Sequence, residues 1–201
     1  MRRRWKGKRI ACITFDDGPD EPYTEQILDI LKEKNIKATF FVLGKKTLLH
    51  EDIIKRITSE GHDIGNHLFS HKKITFLSTN EIKKEILDTN MILEGNSVKA
   101  RIVRLPHGFR TIFGVRRVHK LGFTIIPWTK GIWDTQGDSP EKIFARFMKK
   151  FSNLEILLLH DGEDMNAKSR NRSATVKTLP KIIEEYKKRH YQFLTISELM
   201  S

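Results

Sequence analysis

The sequence predicts a single α/β domain built as a distorted (β/α)7 barrel of mostly parallel strands. Short apolar runs typical of strands alternate with helical patterns along the whole chain, and 201 residues are enough for one sizeable core. Polar residues also cluster just after several predicted strands, where barrels and open α/β sheets both gather their chemistry. An open, doubly wound sheet is the alternative architecture.

Seven segments rich in β-branched, aromatic and aliphatic residues are predicted to be strands. Each of the first six is followed by a helical pattern, and such long connections are what parallel pairing requires. The predicted strands cover residues 9–15, 38–43, 62–65, 101–105, 123–128, 155–159 and 192–195.

The helices are predicted from apolar residues at helical spacing together with start and stop signals. Ser78 to Glu81 has the form of a capping box, and the helix it opens is closed by Gly95. Ser139 and Pro140 open another helix, because proline at the first helical position loses no hydrogen bond. Four further helices are predicted, at 24–34, 51–59, 111–121 and 174–189.

Composition and charge restrict the partners of the chain. It carries 37 Lys and Arg against 25 Asp and Glu, a net charge of +12 at pH 7, which permits an anionic partner. The lysines are scattered through helical segments beside Glu, as on an ordinary solvated surface. Because no nucleic-acid-binding signature stands out, we expect no nucleic acid and retain an anionic wall polymer as a candidate partner.

Residues 1–8 are predicted to be a basic N-terminal extension and residues 9–201 the folded domain. The extension resembles the charged head of a secretion signal, but no hydrophobic signal core follows it before Asp16. No apolar run reaches the length of a transmembrane span. We expect the cell envelope or the exterior if a signal or anchor precedes this chain, with the cytoplasm as the alternative.

An acidic pair and two histidines form a candidate metal site. Asp16 and Asp17 directly follow the first predicted strand, and His67 and His71 are four residues apart, a spacing that on a helical turn places both on one side. One carboxylate and two imidazoles suit a divalent cation with a position left open for water, although the set also suits non-haem iron. The other Asp is then free to act as a base, which indicates metal-assisted hydrolysis.

Two further polar groups follow later strands. Arg104 is predicted to orient Asp16 through a bidentate pair. Pro106 and Gly108 indicate an irregular turn that offers a backbone N–H to an oxyanion. His160 closes an apolar run and is a candidate general acid, with a satisfied core histidine as the alternative.

These motifs resemble those of the polysaccharide deacetylases with the NodB homology domain, carbohydrate esterase family 4. The string TFDDGP at 14–19 resembles the first motif of that family, which implies Asp16 as the base and Asp17 as a metal ligand. The segment from His67 to His71 resembles the second motif and implies the other two ligands.

Two later motifs and a closing segment from Thr178 to Leu199 extend the resemblance over about residues 8–199, so residues 9–201 are expected to form a deacetylase domain. Arg104 to Gly108 resembles the third motif, and Leu158-Leu159-His160 resembles the fifth, which implies His160 as the catalytic acid and Leu158 at the acetyl methyl. The implied cofactor is one divalent metal ion: zinc first, with cobalt, nickel, manganese or iron as alternatives.

The chain departs from the family pattern in two places. His107 stands where the family usually has Tyr, and the fourth motif is reduced to Gly131-Ile132-Trp133-Asp134-Thr135. Asp134 is still expected to orient His160, while Trp128 or Trp133 replaces the usual tryptophan of the groove. The candidate substrate-binding residues are therefore Pro106, His107, Gly108, Trp128, Trp133 and Leu158.

The resemblance implies hydrolysis of N-acetyl groups on a GlcNAc-type glycan, such as peptidoglycan or chitin. Asp16, held by Arg104, would take a proton, and His160, held by Asp134, would protonate the departing amine. An O-acetyl esterase and a catalytically weak glycan-binding protein are the alternatives within the same fold. A glycoside hydrolase and an iron oxygenase are the alternatives from other classes.

Overall fold

The structure is a computed structural model that describes residues 5–108, 112–163 and 171–201. Its described strands form one sheet in which every ladder is parallel. The strands are β1 (Ile10–Asp16), β2 (Thr39–Val42), β3 (Asp63–Asn66), β4 (Ile102–Val103), β5 (Thr124–Ile125), β6 (Lys130–Gly131), β7 (Leu154–His160) and β8 (Gln192–Phe193).

The order of the strands distinguishes a barrel from a doubly wound sheet. The order is β5-β4-β3-β2-β1-β7-β6, with β8 paired to β1 outside this path. From β1 to β5 the strands are neighbours in chain order. On the other side of β1 lies β7, and β6 lies beyond β7, which is the cyclic strand order of a barrel. No ladder joins β5 to β6 in the described residues, so the sheet is a curled half-barrel, and the predicted distorted (β/α)7 barrel is confirmed.

The last strand predicted from the sequence, at 192–195, is not one of the seven strands in this order. The predicted strand at 192–195 is β8, which pairs only with Ile10 and Ala11 at the start of β1. The seventh position of this order belongs to β6, which pairs with Leu157 and Leu158. A two-residue strand has no periodicity, so the sequence pattern could not indicate it.

The helices follow the predicted bounds closely. The capping box is confirmed: Ser78 Oγ accepts the backbone N–H of Glu81, and the Glu81 carboxylate accepts that of Ser78. None of the described helices is both long and apolar enough to cross a membrane. The helices are α1 (Tyr23–Glu33), α2 (Gly44–Thr47), α3 (Glu51–Ser59), α4 (Thr79–Gly95), α5 (Ile112–Lys120), α6 (Pro140–Phe147), α7 (Ser173–Lys188) and α8 (Ile196–Met200).

Strand β1 is buried on both faces, and its alternation positions the site. Ile13 and Phe15 pack in the cluster beneath the helices, whereas Ile10 and Cys12 pack in the cluster that includes Phe41 of β2. Because side chains alternate along a strand, Asp16 at the end of β1 shares the face of Ile10 and Cys12. The strand therefore delivers a carboxylate to the mouth of the half-barrel.

Candidate active site

Charged and imidazole side chains converge at the carboxyl ends of the strands. Asp16 ends β1 and His160 ends β7, and the two residues are register partners in the parallel ladder. Asp17, His67 and His71 come from the loops after β1 and β3. All five line a cavity of about 520 Å³ that opens at this end of the sheet.

The predicted metal ligands lie within reach of a single ion. Asp17 Oδ1 is 3.2 Å from His67 Nε2 and 3.0 Å from His71 Nε2. The ligand atoms of the three residues all lie within 4.8 Å of one another, and each side chain is buried. One carboxylate oxygen and two imidazole nitrogens are a donor set that zinc and other divalent transition metals accept.

The hydrogen bonding of His67 tests whether a cation fits between these groups. Its Nδ1 lies 2.8 Å from the backbone carbonyl of Arg104, which can only accept, so Nδ1 carries the proton. In the neutral form of the ring, Nε2 presents a lone pair toward Asp17 Oδ1, which has no hydrogen-bond partner among the described residues. Two buried acceptors 3.2 Å apart repel each other unless a cation lies between them. The residues therefore fit a divalent metal.

The loop that carries the two histidines is not helical, contrary to the geometry assumed from their spacing. Leu68 and His71 have positive φ angles of 69° and 59°, and Asp17 has one of 74°. Such angles are costly for these residue types, and they recur where a site constrains the backbone. The two imidazoles thus converge through loop conformation and not through a helical turn.

Two buried polar side chains hold this loop in place. The Glu85 carboxylate accepts the backbone N–H groups of Phe69 and Ser70. Asn66 Oδ1 accepts the N–H of Leu68, and its amide donates to the carbonyl of Ile86. The sequence does not indicate this role for either residue, because a supporting residue has no motif of its own.

Electrostatics keep Asp17 ionised. Burial by itself would raise the pKa of its carboxyl, but the imidazoles of His67 and His71, with the charge of His160, hold the pKa well below its usual range. The side chain is therefore a carboxylate at any pH near neutrality, which is the form that binds a metal.

Arg104 fixes Asp16 through one nitrogen, so the predicted bidentate pair is wrong. Its Nη1 donates to Asp16 Oδ1 at 2.8 Å and to Thr14 Oγ1 at 2.7 Å, while Nε donates to the carbonyl of Ile126. Burial lowers the pKa of Arg104, and the charge of Asp16 opposes that effect. Because Thr14 takes the second hydrogen bond of Nη1, Arg104 binds only Oδ1 of Asp16. Oδ2 stays available on the cavity side, 3.8 Å from His67 Nε2.

His160 and Asp134 form a second oriented pair. His160 Nδ1 lies 2.8 Å from Asp134 Oδ1, and Asp134 Oδ2 accepts both the backbone N–H of His160 and the hydroxyl of Thr175, each at 2.9 Å. Burial would lower the pKa of His160, but the charge and hydrogen bond of Asp134 raise it to about 9. The imidazole is therefore held as a proton donor with Nε2 left for the cavity.

The predicted groove residues divide into two groups. Trp128, Trp133, His107 and Leu158 line the cavity, and Trp133 is 68% exposed at its rim. Pro106 and Gly108 do not line it. A side chain at Gly108 would meet the ring of Trp128, so this glycine lets the tryptophan pack against the wall. Gly131, Thr135 and Gln136 also line the cavity, and the sequence analysis did not predict them as substrate contacts.

Comparison with known proteins identifies the family. A sequence profile described as polysaccharide deacetylase matches residues 3–126, more than half of the chain. The chain belongs to the polysaccharide deacetylase family. The predicted resemblance is thereby confirmed, and as a member the protein is a hydrolase of carbon–nitrogen bonds other than peptide bonds, in a metal-dependent family.

Two relatives show how far the similarity to deacetylases extends. A peptidoglycan-N-acetylglucosamine deacetylase of Bacillus cereus is 33% identical over 198 residues, which cover 96% of this chain and 89% of the relative. The crystal structure of a peptidoglycan N-acetylglucosamine deacetylase with a bound N-oxidanyl-benzamide has a TM-score of 0.88 and 31% identity, covering 96% of this chain and 88% of that one.

A third neighbour is a carbohydrate esterase family 4 pseudoenzyme from Bacillus anthracis. It has a TM-score of 0.87 and 26% identity, with 97% of this chain and 66% of that one covered. Since a pseudoenzyme shares this fold, the fold alone does not show that a member of the family is active. The side chains of the site have to carry it.

Proposed function

We propose that this chain removes acetyl groups from N-acetylglucosamine residues of a peptidoglycan-type glycan. The single observation that supports the proposal most is the arrangement of Asp16 and His160 on register-paired strands, beside the cluster of Asp17, His67 and His71. A base, an acid and a cation site around one cavity are what amide hydrolysis requires. The similarity to the Bacillus cereus enzyme supports the substrate class.

Asp17, His67 and His71 would hold a divalent ion, with zinc the first choice for this donor set. When bound, the ion supplies Lewis acidity toward the acetyl carbonyl and the attacking water. Asp16 is the proposed base, because Arg104 binds one of its oxygens and leaves the other on the cavity side. The neighbouring guanidinium holds this carboxylate in position, with Nη1 of Arg104 2.8 Å from Oδ1.

His160 is the proposed acid. An amine is a poor leaving group, so the nitrogen needs a proton as the carbon–nitrogen bond breaks. Asp134 binds Nδ1 of His160, which leaves Nε2 as the donor that faces the cavity. Leu158 of β7 lines the cavity and is proposed to contact the acetyl methyl, and the backbone at His107 is proposed to face the oxyanion.

The open rim suits a polymer. Trp133 is largely exposed and Trp128 forms part of the wall, and tryptophan faces pack well against sugar rings. We propose that these side chains bind glycan units on either side of the reacting residue. We also propose the cell envelope as the place of action, since the relatives are named for a cell-wall substrate.

The test is acetate release from a substrate panel. Peptidoglycan fragments and chitooligosaccharides carry N-acetyl groups, and acetylated xylan carries O-acetyl groups. We expect chelator-sensitive acetate release from the N-acetylated substrates, faster than from the xylan. The Asp16→Asn variant is the matched control for contaminating activity.

Each other outcome favours a different function. Preferential release from acetylated xylan indicates an O-acetyl esterase. Binding of the N-acetylated glycans without acetate release, by protein that contains one equivalent of metal, indicates a glycan-binding member of the fold. Cleavage of the glycan chain without acetate release indicates a glycoside hydrolase. Any of these results overturns the proposal.

A further inference from the structure

Among the described residues, the helix-to-strand connections carry a strong excess of positive charge. In a parallel sheet, all helix-to-strand connections meet at the end opposite the carboxyl ends of the strands. The described connections at that end, together with residues 5–9, contain ten Lys and Arg and one acidic residue. The described strand-to-helix connections at the active-site end contain four basic and seven acidic residues. The molecule therefore has a cationic end opposite its active site.

Hydrogen bonds to backbone carbonyls join these cationic connections around the start of β1. Arg9 Nη1 donates to the carbonyl of Arg189, and Lys187 Nζ donates to the carbonyl of Lys34. The N–H of Ile10 donates to Asn153, in the connection before β7. We call this surface the basic floor. It consists of Lys187 and Lys188 at the end of α7 together with eight residues of the connections and of residues 5–9: Lys6, Lys8, Arg9, Lys34, Lys37, Lys149, Lys150 and Arg189.

Acidic neighbours neutralise only part of the basic floor. Lys34 pairs with Glu33 and Glu184, and Arg189 pairs with Glu185. Seven other floor lysines are exposed and make no ion pair with another described residue: Lys6, Lys8, Lys37, Lys149, Lys150, Lys187 and Lys188. Contact with an uncharged partner would remove water from these ammonium groups at a high cost in free energy, so a partner of this surface has to be anionic.

Favourable contact with helix dipoles explains only some of these positions. Basic residues stabilise the last turn of a helix, which accounts for Lys187 and Lys188 at the end of α7. It does not account for Lys6, Lys8 and Arg9, which precede a strand. Trp5 holds that segment on the floor through its indole N–H, which donates to the carbonyl of Leu199 at 3.3 Å.

A cavity of about 420 Å³ opens on the same surface. Lys37 and Lys187 line it together with Tyr191 and Phe193. Each ammonium donates one hydrogen bond to a backbone carbonyl, Lys37 to Glu60 and Lys187 to Lys34, and retains further N–H groups. The Glu198 carboxylate, which also lines the cavity, accepts the N–H of Thr195. The cavity is thus a fixed cationic indentation beside aromatic rings.

We propose that the basic floor binds a linear polymer of phosphodiesters, such as a polyol phosphate of a cell wall. A lipid surface is the less suitable partner, because proteins that insert into it place exposed apolar side chains beside their cations. The most exposed large apolar residues of the described chain lie on other elements: Leu49, Phe76, Met91 and Trp133. A polymer held at this end leaves the opposite end, with its open cleft, free for a glycan.

The test compares two triple charge reversals that change the net charge equally. Lys149→Glu, Lys150→Glu and Lys188→Glu alter the floor, and Lys83→Glu, Lys177→Glu and Lys181→Glu alter exposed positions on α4 and α7. Binding to soluble poly(glycerol phosphate) is measured over a salt series. We expect the floor triple to lose about tenfold or more in affinity and about two units of salt slope, and the control triple to lose less than about threefold.

Three results would overturn the proposal. Equal losses in both triples would mean that net charge alone drives binding. Failure of the unaltered protein to bind at about 0.15 M salt would mean that the floor is only a solvated surface. Tighter binding to phosphatidylglycerol vesicles, at equal phosphate concentration, would mean a membrane partner. Melting temperature and circular dichroism verify the fold of both variants. Because binding is measured and not acetate release, the result does not depend on deacetylase activity.

Discussion

Asp134 binds His160 twice: Oδ1 lies 2.8 Å from the imidazole Nδ1, and Oδ2 accepts the backbone N–H of the same residue at 2.9 Å. The two contacts fix both the position and the tautomer of the ring. They also place a negative charge where it stabilises the imidazolium, so that the pKa of His160 rises to about 9. Asp134 lies in the segment from Gly131 to Thr135 that departs from the family pattern, yet it still orients His160, the proposed acid.

Asp134→Asn should therefore move the alkaline limb of the activity profile. The acid works only when protonated, so activity should fall as pH rises through the pKa of His160. Without the Asp134 charge, only the smaller contributions of Asp17 and Asp16 oppose burial, so that pKa falls and the limb shifts to lower pH by about one unit or more. The measurement is kcat/KM against pH for both proteins. An unchanged alkaline limb would show that His160 is not the acid.

Thr175 is expected to act on the reaction through Asp134. Its hydroxyl donates to Asp134 Oδ2 at 2.9 Å, and its side chain is buried. Thr175→Val should lower kcat by about tenfold with little change in KM, and Thr175→Ser should restore most of it. Thr178→Val is the matched control on α7, since Thr178 bonds to the carbonyl of Ala174 instead. Equal losses in the two valine variants would indicate general damage to the helix.

Metal binding should stabilise the fold. Binding to the native state alone adds about 4 kcal/mol to the free energy of unfolding when the free metal is 1,000 times its dissociation constant. Adding Zn²⁺ to metal-free protein should therefore raise the melting temperature, and Asp17→Asn should abolish the rise. Asp20→Asn, which removes a carboxylate bound to Lys46 outside the site, is the control. A full shift in Asp17→Asn would place the metal elsewhere.

The stability of the fold should depend on pH through His62. Its Nδ1 accepts the backbone N–H of Ala38, and burial lowers its pKa from 6.5 to about 4. The unfolded chain takes up the proton more readily than the folded one, so stability is full above pH 6.5 and falls as pH decreases toward 4. The loss is at most about 3 kcal/mol.

Urea unfolding of His62→Asn across this range measures the effect. The amide oxygen can accept the Ala38 N–H without titrating, so the variant should lose less stability between pH 6.5 and 4 than the unaltered protein. The control is His190→Asn at an exposed position, where the positive φ of 60° suits asparagine. Parallel pH curves for His62→Asn and the unaltered protein would contradict the prediction.

The sequence predicts the parts of this site that have their own chemical pattern. The acidic pair at the end of β1 and the histidine at the end of β7 follow long apolar runs, so their places could be inferred. The position of β6 could not, because its two residues are defined only by their backbone pairing with β7. Thr175 and Glu85 could not be inferred either, since each acts through a hydrogen bond to a distant loop or side chain.

Backbone conformation is the other element that the sequence did not reveal. The spacing of His67 and His71 indicated a helical turn, but both imidazoles converge through positive φ angles in a loop. Similarly, the Arg104 motif indicated a bidentate pair, whereas Thr14 takes the second bond of Nη1. In both cases the residues that meet were predicted correctly, and the geometry of their contact depends on tertiary packing.

Asp17 is proposed to hold the cation, and its neighbour Asp16 is proposed to move the proton. The most direct measurement is metal content and acetate release of Asp16→Asn and Asp17→Asn, side by side on a chitooligosaccharide. We expect Asp16→Asn to retain one equivalent of metal and to release no acetate, whereas Asp17→Asn should lose both the metal and the activity. Near-normal acetate release by Asp16→Asn, or a full equivalent of metal in Asp17→Asn, would contradict it.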